Sequence, residues 1–139
     1  MSIKLSIGGF GFVDLVSDIY TKRDLVLKRC NVDREESLQI VRKEIHILQR
    51  FSGPYIVELL DSDIILKNKI SREALLLLDY CPGGHLLDRL NSRNSRLLPS
   101  ESIYRIFGQI LLGVRSLHVN NPPITHRDLK LENILFGTV

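Results

Sequence analysis

Tryptophan is absent from the 139 residues, methionine occurs once, cysteine twice, and aromatic side chains make up only 6% of the chain. Cys30 and Cys81 lie far apart with no C-x-x-C pair and no flanking histidine ladder, which excludes a disulfide framework and a cysteine–histidine zinc module. Both are expected to be buried thiols. No stretch approaches the roughly 20 apolar residues of a membrane span. The first apolar run is broken by Gly8, Gly9, Gly11 and Asp14, so no secretory signal is expected and the expected compartment is the reducing cytoplasm. Proline (5) and glycine (9) are too few for a fibrous or low-complexity chain, while 44% hydrophobic residues exclude full disorder. Charge of one sign is scarce as well: 19 basic against 16 acidic residues give a net +3. Residues 1 to 80 hold 12 of each sign, and the excess falls after residue 80, with 7 basic and 4 acidic. That is too little for a nucleic-acid stripe. A small anion such as a phosphate group suits it better.

What is present reads as an α+β chain in two parts. Ile3 to Ile7 and Phe12 to Ser17 are β-prone runs hinged at Gly8-Gly9-Phe10-Gly11. A turn through Tyr20-Thr21-Lys22-Arg23 leads to a strand ending at Leu25-Val26-Leu27-Lys28. Asp33, with Glu36 three residues on, predicts a capped helix start. Leu38, Val41, Ile45 and Leu48 then recur at helical spacing. Ile56 to Leu60 and Ala74 to Leu78 are expected to pair antiparallel across Lys67-Asn68-Lys69. From Cys81-Pro82-Gly83-Gly84 onward the pattern turns helical. A short helix carries Leu86, Leu87 and Leu90, and Pro99-Ser100-Glu101 opens a long one with Ile103, Ile106, Phe107, Ile110, Val114 and Leu117 on one face. Asn120-Asn121-Pro122-Pro123 ends it, because proline cannot continue the hydrogen-bond ladder. The predicted division is 1–80, five antiparallel strands with one helix, and 81–139, a linker and a helical part.

The most specific string is His126-Arg127-Asp128-Leu129-Lys130-Leu131-Glu132-Asn133, which meets every fixed position of the catalytic-loop pattern H-R-D-L-x-x-x-N. Asp128 can accept a proton from a substrate hydroxyl. The Asn133 amide oxygen, five residues later, can return on the same loop to hold Mg2+. Lys130 places a cation where a transferring phosphoryl group needs neutralising. Near the N-terminus, Gly8, Gly11 and Val13 meet G-x-G-x-x-G-x-V, with Ser6 in place of the first glycine. Gly8, Gly9 and Gly11 would let the backbone approach a triphosphate. No G-x-x-x-x-G-K-[ST] string is present, and the glycines lie between two strands rather than between a strand and a helix, which disfavours a dinucleotide fold. Lys28 ends a relaxed V-A-I-K strand, and Glu44, 16 residues on in the next helix, can hold its ammonium against nucleotide phosphates. At the linker, the backbones of Asp79 and Cys81 could meet an adenine edge, with Leu78 guarding the back of the pocket.

In this order the strings resemble a eukaryotic protein kinase from Leu5 to about Phe136. The Asp128-Leu129-Lys130-Leu131-Glu132-Asn133 stretch resembles the serine/threonine class. Gly8-Gly9-Phe10, Leu27-Lys28-Arg29, Lys43-Glu44-Ile45, Ser52-Gly53, Asp61-Ser62 and Cys81-Pro82-Gly83-Gly84 are similar to the Numb-associated kinase branch. The resemblance implies a two-lobed fold with a complete N-lobe and the beginning of the C-lobe. It implies ATP and Mg2+ as cofactors, and Ser/Thr acceptors in endocytic adaptor or actin-regulatory proteins as substrates. Lys28 and Glu44 would fix the nucleotide, Asp128 would be the base, Lys130 the charge stabiliser and Asn133 a metal ligand. D-F-G, the activation loop and A-P-E do not follow Asn133 in these residues. The expectation is therefore a kinase domain truncated before D-F-G and inactive alone. The alternative is a non-catalytic kinase-like interaction or regulatory module; small-molecule phosphotransferases of similar fold fit less well, since they typically lack H-R-D-L-K.

Overall fold

The computed structural model describes residues 1–3, 11–51, 53–93 and 97–137. The chain divides into two compact units, one of Ser6–Ser52 and Glu58–Tyr80, the other of Met1–Leu5, Gly53–Val57 and Cys81–Val139.

The first unit is a sheet with one helix. Strands β2 (Gly11–Ser17), β3 (Asp24–Asn31), β4 (Leu59–Leu66) and β5 (Arg72–Asp79) form a four-stranded antiparallel sheet in the order β2-β3-β5-β4. The β2–β3 turn is held by Asp18, whose carboxylate accepts from the Tyr20 and Thr21 amides at 2.9 and 2.7 Å. Those bonds hold its carboxyl below the usual carboxylate range. Strand β4 starts at Leu59 rather than Ile56 and runs through Asp61-Ser62-Asp63, so the expected Ile56–Leu60 strand is displaced. Ile56 and Val57 are core residues of the other unit instead. Asp61 and Asp63 face solvent, and a β-bulge between Leu59 and Asp61 resets the pairing.

Helix α1 spans Glu35–Leu48. The capping role expected of Asp33 is not observed: Arg34 is the N-cap residue and no side chain caps the helix. Asp33 accepts instead from the Arg72 backbone amide at 2.6 Å and the Asn31 side chain at 2.7 Å, tying the helix approach to the start of β5. The buried residues of α1 are Leu38, Val41, Glu44 and Leu48, with Ile45 only half-buried. A carboxylate thus occupies the core-facing turn that periodicity assigned to isoleucine. Leu25, Cys30, Val32, Phe51, Ala74, Leu76 and Leu78 complete this core. Burial raises the Cys30 thiol pKa, so Cys30 stays a protonated, inert thiol.

The second unit contains α2 (Leu86–Asn91), α3 (Ser100–His118), a 3-10 turn (Leu131–Asn133) and a short ladder of β1 (Ser2–Ile3) with β6 (Ile134–Leu135). The first strand expected, Ile3 to Ile7, lies mostly outside the described residues; its described start belongs to this ladder. Helix α3 begins after Pro99, whose carbonyl accepts from Ile103 N–H. Of its expected apolar face, Leu117 is fully buried and Ile106, Ile110 and Val114 are half-buried. Ile103 and Phe107 remain exposed. No helix is long and apolar enough to cross a membrane among the described residues.

Candidate active site

In the sheet unit, register places Val13, Lys28 and Leu76 opposite one another, and Leu15, Val26 and Leu78 in the next row. Directly opposed residues share a sheet face. Lys28 is therefore the one cation on an otherwise apolar face of these two rows. It is 5% exposed, and its Nζ donates to Glu44 Oε1 at 2.7 Å, Glu44 being 2% exposed. Desolvating two charges costs several kcal/mol each, which a single contact in a dry site barely offsets. Such a pair adds little to stability. Among the described residues two N–H groups of Lys28 have no partner, and Glu44 Oε2 is buried without a hydrogen bond. An anionic oxygen fits the free face of this ammonium.

Gly11 sits opposite Cys30 at the start of β2. A Cβ there would run into the Arg29 carbonyl oxygen, so glycine lets β2 and β3 meet. Val13 is exposed beside Lys28. Gly8 and Gly9 lie outside the described residues. At the end of β5, Asp79 donates its amide to the Glu58 carbonyl at 3.0 Å and binds Arg23 through its side chain at 2.9 Å. Any backbone contact of Asp79 with a ligand is therefore made through its carbonyl.

In the second unit the catalytic-loop string folds on itself. The Asn133 amide donates to the Asp128 carbonyl at 2.8 Å and to Asp128 Oδ2 at 3.0 Å. Lys130 Nζ stands 3.3 Å from the same oxygen. The Asp128 backbone amide donates to His126 Nδ1 at 3.2 Å, and Arg127 takes a left-handed φ of 62°. That conformation costs a non-glycine residue about 1 kcal/mol or more and turns the chain so that Asp128 and Asn133 meet. The Asn133 bond first, and then Lys130, hold the Asp128 carboxyl below the usual carboxylate range. Asp128 is thus an anion at neutral pH, able to orient a hydroxyl and take its proton late rather than abstract it beforehand.

Magnesium demands oxygen ligands and keeps several waters. Asn133 uses its NH2 group for Asp128, leaving its Oδ1 as the ligand atom. Among the described residues no group of three or more His, Cys, Asp or Glu could hold a metal. These residues therefore fit a cation shared with a phosphate ligand, not an all-protein cage.

A clasp behind this loop was not foreseen. Gly83 N–H donates to the Phe136 carbonyl at 2.8 Å, and Phe136 N–H returns to the Gly84 carbonyl at 3.0 Å. A Cβ on Gly83 would lie 2.5 Å from Phe136 Cβ. His85 Nδ1 lies 2.5 Å from the Glu132 carbonyl, so that nitrogen carries the proton. Gly83 and Gly84 thus hold the chain just beyond the Leu131–Asn133 turn and His85 holds the turn at Glu132, while the Cys81 carbonyl accepts from Gly84. A G-G-H string is the only sequence signal for it.

A profile described as the protein kinase domain matches residues 2–138. The chain is similar to a Dictyostelium discoideum protein named "Probable serine/threonine-protein kinase", 41% identical over 133 residues that cover 93% of this chain and 16% of that protein. It is also similar to the serine/threonine-protein kinase ppk30 of Schizosaccharomyces pombe, 37% identical over 94% of this chain and 14% of the relative. The actin-regulating kinase PRK1 of Saccharomyces cerevisiae is 30% identical over 96% of this chain and 17% of the relative. The chain therefore spans about one sixth of the length of these relatives.

Proposed function

From the premise that the chain belongs to the protein kinase domain family, we propose that its two sets of residues serve ATP-dependent phosphorylation of serine or threonine in proteins. The family uses ATP with Mg2+, which supplies the phosphoryl group and neutralises its charge when bound. Lys28, steadied by Glu44, binds the nucleotide α- and β-phosphates. Gly8, Gly9 and Gly11 bring backbone amides to the phosphates, Val13 covers the base, and Asp79 and Cys81 meet the adenine edge through backbone groups. Asn133 offers its Oδ1 to the metal. Asp128 orients the acceptor hydroxyl and takes its proton at Oδ1 or Oδ2, while Lys130 offsets negative charge beside it.

The single observation that carries this reading is the buried Lys28–Glu44 pair at 2.7 Å, which stability alone does not explain. The division into an N-lobe over 1–80 and the start of a C-lobe over 81–139 belongs to the same proposal. So does membership of the Numb-associated branch, with endocytic adaptor or actin-regulatory proteins as cytoplasmic substrates; similarity to a relative named an actin-regulating kinase supports it.

The test is γ-phosphate transfer to a Ser/Thr peptide by the full-length protein. Asp128→Asn is expected to cut kcat by about 10²- to 10⁴-fold with the ATP KM little changed. Undiminished turnover would contradict the assignment. The 139-residue polypeptide alone, which carries no D-F-G aspartate, is expected to show no measurable transfer.

A further inference from the structure

His85 has no part in the nucleotide and base roles above, yet its side chain meets the catalytic loop. It is the N-cap residue of α2, with extended backbone (φ −82°, ψ 152°), and its imidazole makes no bond to the amides of its own helix. An N-cap side chain ordinarily turns back to the second or third of those amides. Here Nδ1–H goes instead to the Glu132 carbonyl. A carbonyl only accepts, so the bond fixes which ring nitrogen carries the proton.

The peptide unit that His85 grips is the one that carries Asn133. Its N–H, which belongs to Asn133, donates to the Lys130 carbonyl at 2.9 Å. A planar peptide held at both its C=O and its N–H has little freedom to rotate, and the direction in which the Asn133 side chain leaves it is fixed with it. That side chain belongs to a residue only 6% exposed, and its NH2 is spent on the Asp128 carbonyl and Oδ2 at 2.8 and 3.0 Å. A continuous path therefore leads from α2 through one peptide plane to the Asp128 carboxylate. The neighbouring contacts steady α2 against the chain beyond the turn: His85 bridges to Leu135 through its backbone, and the Arg89 guanidinium lies 3.9 Å from the Phe136 ring centroid. His85 reaches the turn itself.

We propose that His85 is a positioning residue for phosphoryl transfer: by fixing the Glu132–Asn133 peptide it holds the Asn133 NH2 on Asp128 and so presents the Asn133 Oδ1 to the metal. The metal and the acceptor hydroxyl belong to the kinase reading, on which this role rests; the path from His85 to Asp128 exists without nucleotide.

Two substitutions separate the donor from the ring. His85→Asn keeps an N–H on an atom bonded to Cγ and gives up the ring, whereas His85→Phe keeps a ring and gives up the donor. In the full-length protein, His85→Phe is expected to raise the Mg2+ concentration for half-maximal peptide phosphorylation about tenfold, with the peptide KM unchanged, and His85→Asn to recover most of that loss. A role in packing alone predicts the reverse order, because Phe fills the place of the ring and Asn does not. Without nucleotide, hydrogen exchange of the Asn133 side-chain NH2, followed by NMR, is expected to quicken about tenfold in His85→Phe and to stay slow in His85→Asn. Imidazole 15N shifts of the unsubstituted protein are expected to show a protonated Nδ1, which tests the contact even where a variant folds poorly. Equal loss in the two variants, a change confined to the ATP KM, or a bare Nδ1 would each overturn the positioning role. Absence of transfer by the unsubstituted full-length protein would count against the kinase reading instead, and the exchange measurement would then decide whether His85 holds Asn133.

Discussion

Lys28–Glu44 and Asp128–Asn133–Lys130 are both compact polar clusters, but one is dry and the other wet. Lys28 and Glu44 side chains are 6% and 2% exposed, whereas Lys130 and Asp128 are 50% and 49% exposed. The same ion-pair chemistry therefore has different consequences. In the dry cluster each partner depends on the other, because either charge alone would be stranded in a low-dielectric core. In the wet cluster solvent screens the lysine, and the directional bond from Asn133 becomes the leading influence on the carboxyl. The first cluster trades stability for a charge held in place; the second tunes an acid with little effect on folding.

Breaking the dry pair is expected to have the largest effect. Lys28→Met strands Glu44, and urea unfolding should show a loss of roughly 3–5 kcal/mol. Gly11→Ala drives a Cβ against the Arg29 carbonyl and should cost about 1–3 kcal/mol in the same assay. In the wet cluster the expected readout is titration rather than unfolding. Asn133→Ala should move the Asp128 carboxyl up toward the usual carboxylate range by NMR, and Lys130→Ala should move it less, following the order of their influence. The sign for stability follows: folding lowers this pKa, so the contribution is present above the ordinary carboxylate range. It is lost as pH falls through the depressed value.

Much of both clusters was legible from spacing. Lys28 and Glu44 stand 16 residues apart across a strand and a helix, and the catalytic-loop string reads without gaps. Pro99 marked the start of α3 and the Pro122-Pro123 pair its end. What was missed was set by long-range partners. Asp33 resembles a helix cap, but Arg72, 39 residues away, captures its carboxylate. The strand expected to end at Leu60 runs on through Asp61-Ser62-Asp63 to Leu66, because the two acids face water and their polarity does not interrupt the pairing. Glu44 occupies the core turn of α1 only because Lys28 is there to receive it. The Gly83–Phe136 clasp joins residues more than fifty apart, and the short Gly83-Gly84-His85 string does not say where its partner lies.

The central claim is that Lys28 and Glu44 are paired for a nucleotide and not for stability. It is tested most directly by the melting temperature of the chain and of its Lys28→Met/Glu44→Leu double variant, each with and without saturating Mg2+–ATP. The account predicts that the double variant melts at least as high as the parent without nucleotide, since well-packed apolar residues can replace a buried pair at no loss. It also predicts that only the parent is raised by ATP. An equal ATP-induced rise in both proteins would contradict the account.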